Sequence, residues 1–128
     1  MDEEQLYRET LLEVYRNPTN RGEIVEPDLE AKLVNPLCGD EVKLQIKLEK
    51  DVVKKAVFSG NGCAISQAAA SLLADSIQGK KLSDVSKLRG NDILELIGIN
   101  PSPLRIGCAL LSLEVLMEAI KNGSKSKS

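Results

Sequence analysis

The chemistry open to this chain of 128 residues rests on three cysteines: Cys38 in NPLCGD, Cys63 in GNGCAIS and Cys108 in RIGCALL. A thiolate attacks sulfur and binds soft metals. The sequence has no histidine. That removes Ser-His-Asp and Cys-His catalysis, His-ligated haem, the HExxH zinc site and Cys2His2 fingers, each of which needs an imidazole. Three thiolates leave a tetrahedral metal one ligand short, and the nearest candidate for the fourth is Asp40, two residues after Cys38. The set Cys38, Asp40, Cys63 and Cys108 is therefore the candidate site. Taken singly, each cysteine fits an apolar core position as well, and Asp40 fits a turn or a cap. No CxxC pair is present to favour the metal. Gly39 and Gly62 beside two of the cysteines permit backbone conformations closed to other residues and a close ligand approach.

Each cysteine sits where the pattern of the chain changes. Residues 41 to 49 alternate strictly, with Val42, Leu44, Ile46 and Leu48 on one face and Lys43, Gln45, Lys47 and Glu49 on the other, the signature of a half-buried antiparallel strand. Cys38 precedes that strand. Glu49-Lys50-Asp51 makes a tight connection into a second strand, VVKKAVF, and residues 30 to 34 supply a third before Asn35-Pro36. After Gly60-Asn61-Gly62 the period changes, and Ile65, Ala68, Ala69, Leu72, Leu73 and Ile77 mark a helix from about 64 to 78, ended by Gly79. Cys63 opens this helix, where the positive end of the helix dipole favours a thiolate.

Four further helices complete the expectation. Leu6, Tyr7, Leu11, Val14 and Tyr15 give an amphipathic helix over 3 to 16 that stops at Asn17-Pro18. Ser83 and Asn91 read as N-caps of two short helices, the second stopping at Gly98. Ser102-Pro103 opens the last helix, near whose start lies Cys108. Its buried stripe is Ile106, Ala109, Leu110, Leu113, Leu116 and Ile120, and Asn122-Gly123 ends it. The expected fold is α+β, a small three-stranded antiparallel sheet with helices packed on one face. It forms a single domain over 1 to 121, followed by a disordered polar tail, 122 to 128.

Composition narrows the partners. Seventeen basic against 19 acidic residues leave a net charge of -2, and two tyrosines and one phenylalanine are the only aromatics. Neither a basic field nor a stacking platform is present to hold nucleic acid. The start MDEEQ lacks the basic region of a signal peptide, and no run of about 18 apolar residues spans a membrane. An odd number of widely spaced cysteines suits a reducing compartment. The chain reads as soluble and cytoplasmic. The outer lysines of the 41 to 49 strand read as a solvated face, and Ser66, Ser71 and Ser76 as helix-surface or helix-packing residues.

The segments LYRETLLEVYRNPTNRG, NPLCGDEVKLQIKLE, FSGNGCAISQAAASLL and PLRIGCALL together resemble the IscU/SufU/NifU-N scaffold proteins of iron–sulfur cluster assembly over nearly the whole chain. All three cysteine motifs arrive in the family's order and approximate spacing. The resemblance implies that Cys38, Asp40, Cys63 and Cys108 occupy the family's ligand positions for iron, zinc or a [2Fe-2S] cluster. It also implies sulfur delivery as persulfide from a cysteine desulfurase of the SufS, IscS or NifS type. Recipient apo-proteins or carriers would take the cluster onward, and a homo-oligomer is compatible with the pattern. Two positions depart from IscU members: Gly107 stands where they carry a histidine before the third cysteine, and Arg105 where their chaperone-recognition motif has a lysine. Both look like the SufU branch, although the segment between Cys63 and Cys108 lacks the insertion usual there.

Three functions compete. A scaffold would use three soft thiolates and a harder, weaker carboxylate to hold a cluster it must later release. Arg105 would offset part of the excess negative charge, or else lie solvated at the helix end. A zinc-dependent persulfide acceptor would expose one low-pKa cysteine, by family analogy Cys108. A structural zinc adaptor would need a closed site, for which Asp is an unusual ligand. Enzymatic turnover is not required by the first or the third.

Overall fold

The computed structural model describes residues 3–36, 39–98 and 103–126, with side chains from 9 to 36, 39 to 98 and 106 to 123. The elements run α1 (Glu3–Arg16), β1 (Leu29–Val34), β2 (Glu41–Glu49), β3 (Val52–Asn61), α2 (Ala64–Ile77), α3 (Leu82–Val85), α4 (Gly90–Ile97) and α5 (Pro103–Ser126). The strands form one antiparallel sheet in the order β1-β2-β3.

The alternation in β2 fixes which face is dry. Val42, Leu44 and Ile46 are fully buried with Ala56 and Phe58 of β3, and Leu48 packs against the same core. Lys50 and Asp51 both have positive φ, 52° and 65°. Such a two-residue turn matches the strand twist and joins β2 to β3 with Glu49 opposite Val52. On the dry face α5 packs on β1 and β2, and α2 on β3 and β2. Leu73, Ile77, Leu111, Val115 and Leu116 fill the space between helices and sheet. Leu11 of α1 joins Ala68, Ala69, Ile97 and Ala109 in a second cluster on the far side of α2. Small side chains there let α1, α2, α4 and α5 approach closely.

The α+β expectation holds, with helices packed on the sheet. Details differ. The caps of the short helices are Lys81 and Arg89, not Ser83 and Asn91, which lie inside the first turns. At α4 the Asp92 carboxylate turns back to accept the N–H of the cap residue Arg89 at 2.8 Å. The buried stripe of α5 is rotated: Cys108, Leu111, Ser112, Val115 and Ala119 are buried beside Ala109 and Leu116, while Ile106 is exposed. A helix wedged between a sheet and two other helices buries more than one stripe, so the most apolar row need not be the central one. Finally, α5 does not end at Asn122-Gly123. It continues through Ser126. Gly123 is buried against β1, where any Cβ would overlap Leu29 Cδ2. The glycine there serves close packing, not helix termination.

The outer face of the sheet is also less open than its lysines suggest. Residues 20 to 28 cross it from edge to edge. They begin beside β3, where Phe58 N–H donates to Asn20 O and Gly22 N–H to Phe58 O, and end where Asp28 N–H donates to Ile46 O. Midway, Gln45 Oε1 accepts the Ile24 N–H at 2.9 Å and Gln45 Nε2 donates to Glu30 at 3.0 Å. Lys47 donates to Glu26 O at 2.9 Å, and Lys43 pairs with Glu30 at 3.2 Å.

Candidate metal centre

Four chain segments meet at one end of the sheet: the β1–β2 loop, the end of β3, the start of α2 and the early turns of α5. The loop is closed by two short backbone bonds, Gly39 N–H to Asn35 O and Asn35 N–H to Asp40 O, each 2.7 Å. Asp40 leaves that loop directly into β2 and is 4% exposed. Cys63 is the N-cap residue of α2, in extended conformation, and its side chain makes no cap bond. Its N–H instead donates to Asp40 Oδ1 at 3.1 Å, and its thiol donates to Asp40 Oδ2 at 3.2 Å. The carboxylate is thus held at the positive end of α2, with one oxygen on the backbone and the other on the sulfur. Asp40 thus caps the helix, and the same carboxylate faces a thiol.

Gly62 makes this approach feasible. Its φ is 149°, and a Cβ there would stand 2.5 Å from Asp40 Oδ1 and 2.7 Å from Cγ. Any side chain at 62 would displace the carboxylate. Cys108 reaches the same point from α5 and is 4% exposed, whereas Cys63 is half-buried. Oxygen or sulfur atoms of Asp40, Cys63 and Cys108 all lie within 4.8 Å of one another. Ligands around one zinc-sized ion stand roughly 3.5 Å apart, so these three could hold a metal ion after small side-chain movements.

Of the expected site residues, Asp40, Cys63 and Cys108 come together. Cys38 and the Arg105 side chain lie outside the described residues, as does Ser102. At Gly107 a Cβ would meet Asn35 Nδ2 at 3.3 Å, a tight contact with the side chain of the β1–β2 loop.

The family model described as the NifU-like N-terminal domain matches residues 6–128. The chain belongs to this family. Among NifU-like relatives, the zinc-dependent sulfurtransferase SufU of Bacillus subtilis is 34% identical over 132 residues, covering 90% of this chain and 89% of that protein. The iron-sulfur cluster assembly scaffold protein IscU of Thermotoga maritima is 32% identical, covering 94% of this chain and 96% of that one. A crystal structure described as a cluster assembly scaffold of the SUF system from Fervidobacterium islandicum superposes with a TM-score of 0.76 at 25% identity, covering 93% of this chain and 99% of that one. The NifU-like domain here therefore has the fold of its relatives, and among the described residues no helix is long and apolar enough to cross a membrane.

Sequence reasoning missed Asn35 and Gln67. Gln67 is 3% exposed, one helical turn past Cys63, and its Nε2 donates to Glu41 O and Ser66 Oγ, each at 3.1 Å. The one sequence signal was a long polar residue in an otherwise alanine-rich helix. Ser66 and Ser71, 0% and 1% exposed, are packing residues; Ser71 Oγ donates to Asn20 Oδ1 at 2.9 Å.

Proposed function

We propose that this protein is a scaffold for iron–sulfur cluster assembly. Iron or a [2Fe-2S] cluster is its cargo, held by Cys38, Asp40, Cys63 and Cys108, with sulfur supplied by a cysteine desulfurase and the cluster passed to apo-proteins or carriers. The observation that carries this reading is the convergence of Asp40, Cys63 and Cys108 within 4.8 Å. The Asp40–Cys63 contact supports a cation site in particular. Once the thiol loses its proton, two anions face each other at 3.2 Å, and a metal ion is what offsets them. Carboxylate oxygen is a poorer ligand for iron in a cluster than thiolate, which suits a site that must let its cargo go. Arg105, at the start of the helix that carries Cys108, is the residue we assign to offsetting the surplus negative charge.

A second reading, a persulfide acceptor with resident zinc, is favoured by two observations. The SufU relative of similar length is a zinc-dependent sulfurtransferase. Gly107 stands where the histidine-bearing members have that residue, and a Cβ there would already press on Asn35 Nδ2 at 3.3 Å. In this reading zinc bound by the same four residues lowers the basicity of the thiolates and keeps them deprotonated. The Cys108 thiolate attacks the outer sulfur of the desulfurase persulfide. A new sulfur–sulfur bond forms on Cys108, the old one breaks, and the desulfurase cysteine leaves as a thiolate. Because Cys108 is 4% exposed, that attack requires its sulfur to become more accessible than it is here. A reducing, cytoplasmic setting suits either reading, since both need free thiols.

Anaerobic incubation with ferrous iron, cysteine and a cysteine desulfurase tests the proposal. The scaffold reading expects visible iron–sulfur absorption that moves to an added apo-ferredoxin. Absence of that absorption with zinc retained, and a mass increase of one sulfur on Cys108, would replace it with the second reading. Neither signal would remove both.

A further inference from the structure

Gln67 is a long polar side chain buried where an apolar one would pack. Its amide nitrogen is oriented by its neighbours, since Glu41 O is an acceptor only and must face a donor. The same nitrogen also donates to Ser66 Oγ at 3.1 Å, and Ser66 Oγ donates to Cys63 O at 3.1 Å. A continuous path of hydrogen bonds therefore runs from the backbone next to Asp40, through Gln67 and Ser66, to the backbone of Cys63. It links the strand that carries the carboxylate to the helix that carries the thiol. Among the described residues, Gln67 Oε1 has no hydrogen-bond partner. A buried amide oxygen left without one is unfavourable, and methionine of nearly the same length would avoid that cost. The residue is thus poorly chosen for stability and well chosen for the contact its nitrogen makes.

We propose that Gln67 is a positioning residue for the metal centre, fixing the distance between Asp40 and Cys63 so that carboxylate and thiolate reach one ion together. This rests on the reading that the site takes metal. Glu41 O is also the atom that a Cβ on Gly60 would overlap, so β3 crowds this carbonyl from the other side. The start of β2 is clamped between Gly60 and Gln67, and without the amide the clamp has one jaw.

The test is zinc affinity by chelator competition, together with the absorption spectrum of the cobalt(II)-loaded protein, which reports ligand number and type. Gln67→Met is expected to keep the fold by circular dichroism. It should weaken zinc binding about 10- to 100-fold, as loss of groups supporting a metal ligand generally does. It should also shift the cobalt bands as Asp40 leaves and water replaces it. Gln45→Met removes a buried glutamine of similar exposure on the other face; it should lower the melting temperature and leave both metal readouts unchanged. Equal affinity and spectrum for Gln67→Met and wild type would overturn the proposal. Should Gln67→Met not fold, Ser66→Ala decides: several-fold weaker zinc binding supports the path, and unchanged binding overturns it. If the wild type itself binds neither zinc nor cobalt, the metal reading fails and this inference with it.

Discussion

The two faces of the sheet each bury one glutamine, and they bury it differently. On the outer face, Gln45 is 5% exposed and both ends of its amide are engaged, the oxygen by Ile24 N–H and the nitrogen by Glu30. On the helix face, Gln67 is 3% exposed, and among the described residues only its nitrogen is engaged. The first pattern is that of a polar residue holding a loop down, in this case the crossing segment 20 to 28. The second is that of a polar residue kept for one contact in spite of its other end. Stability is thus served by satisfied polar groups on one side of β2, and a site is served by an incompletely satisfied one on the other.

That contrast can be attacked from the core outward. Phe58→Ala strikes the helix face where it is largest and driest, and should cost about 3–5 kcal/mol of unfolding free energy in a denaturant titration. A loss under about 1 kcal/mol would mean that the face is less tightly packed than described. Gln45→Met strands the Ile24 N–H and should cost about 1–3 kcal/mol. Its loosening should appear as faster amide exchange in residues 22 to 26, with the metal end unchanged. If exchange also rises at Asp40 and Cys63, the two faces are not independent.

The smallest effect concerns the pair of exposed Lys32 and half-buried Glu41, whose atoms lie 2.6 Å apart. The hydrogen bond to Glu41, and then that carboxylate's charge, raise the Lys32 pKa above its usual 10.5. The pair's contribution is therefore fully present below that pH and fades as pH rises through the raised value. A small difference in melting temperature between wild type and Lys32→Met should be flat from pH 7 to 10 and shrink above. A difference that grows with pH would contradict the assignment.

Much of this architecture was legible from residue patterns because local physics agreed with the final packing. The alternation from Val42 to Leu48 gave β2 and its dry face, and Lys50-Asp51 gave the hairpin turn. The apolar spacing from Ile65 to Ile77 gave α2. What escaped notice was decided by contacts remote in sequence. Residues 20 to 28 have no periodicity, since their partners are Gln45, Lys47 and strand backbone. Gly123 looks like a stop until Leu29 is seen beneath it. At the site, counting donors brought Asp40 to the cysteines, since three thiols without an imidazole leave few other ligands. Gln67 and Asn35 could not be counted that way. Gln67 donates to a backbone carbonyl, and Asn35 lies against Gly107 from a loop remote in sequence, and neither property is written in residue type.

The central claim is that a carboxylate placed among thiolates makes this site one that lets go of its cargo. The direct measurement is the lifetime of the reconstituted [2Fe-2S] cluster in Asp40→Ala against wild type, followed anaerobically by visible absorption with and without an apo-ferredoxin. The account predicts a longer-lived cluster and slower transfer in the variant. An unchanged or shortened lifetime would contradict it.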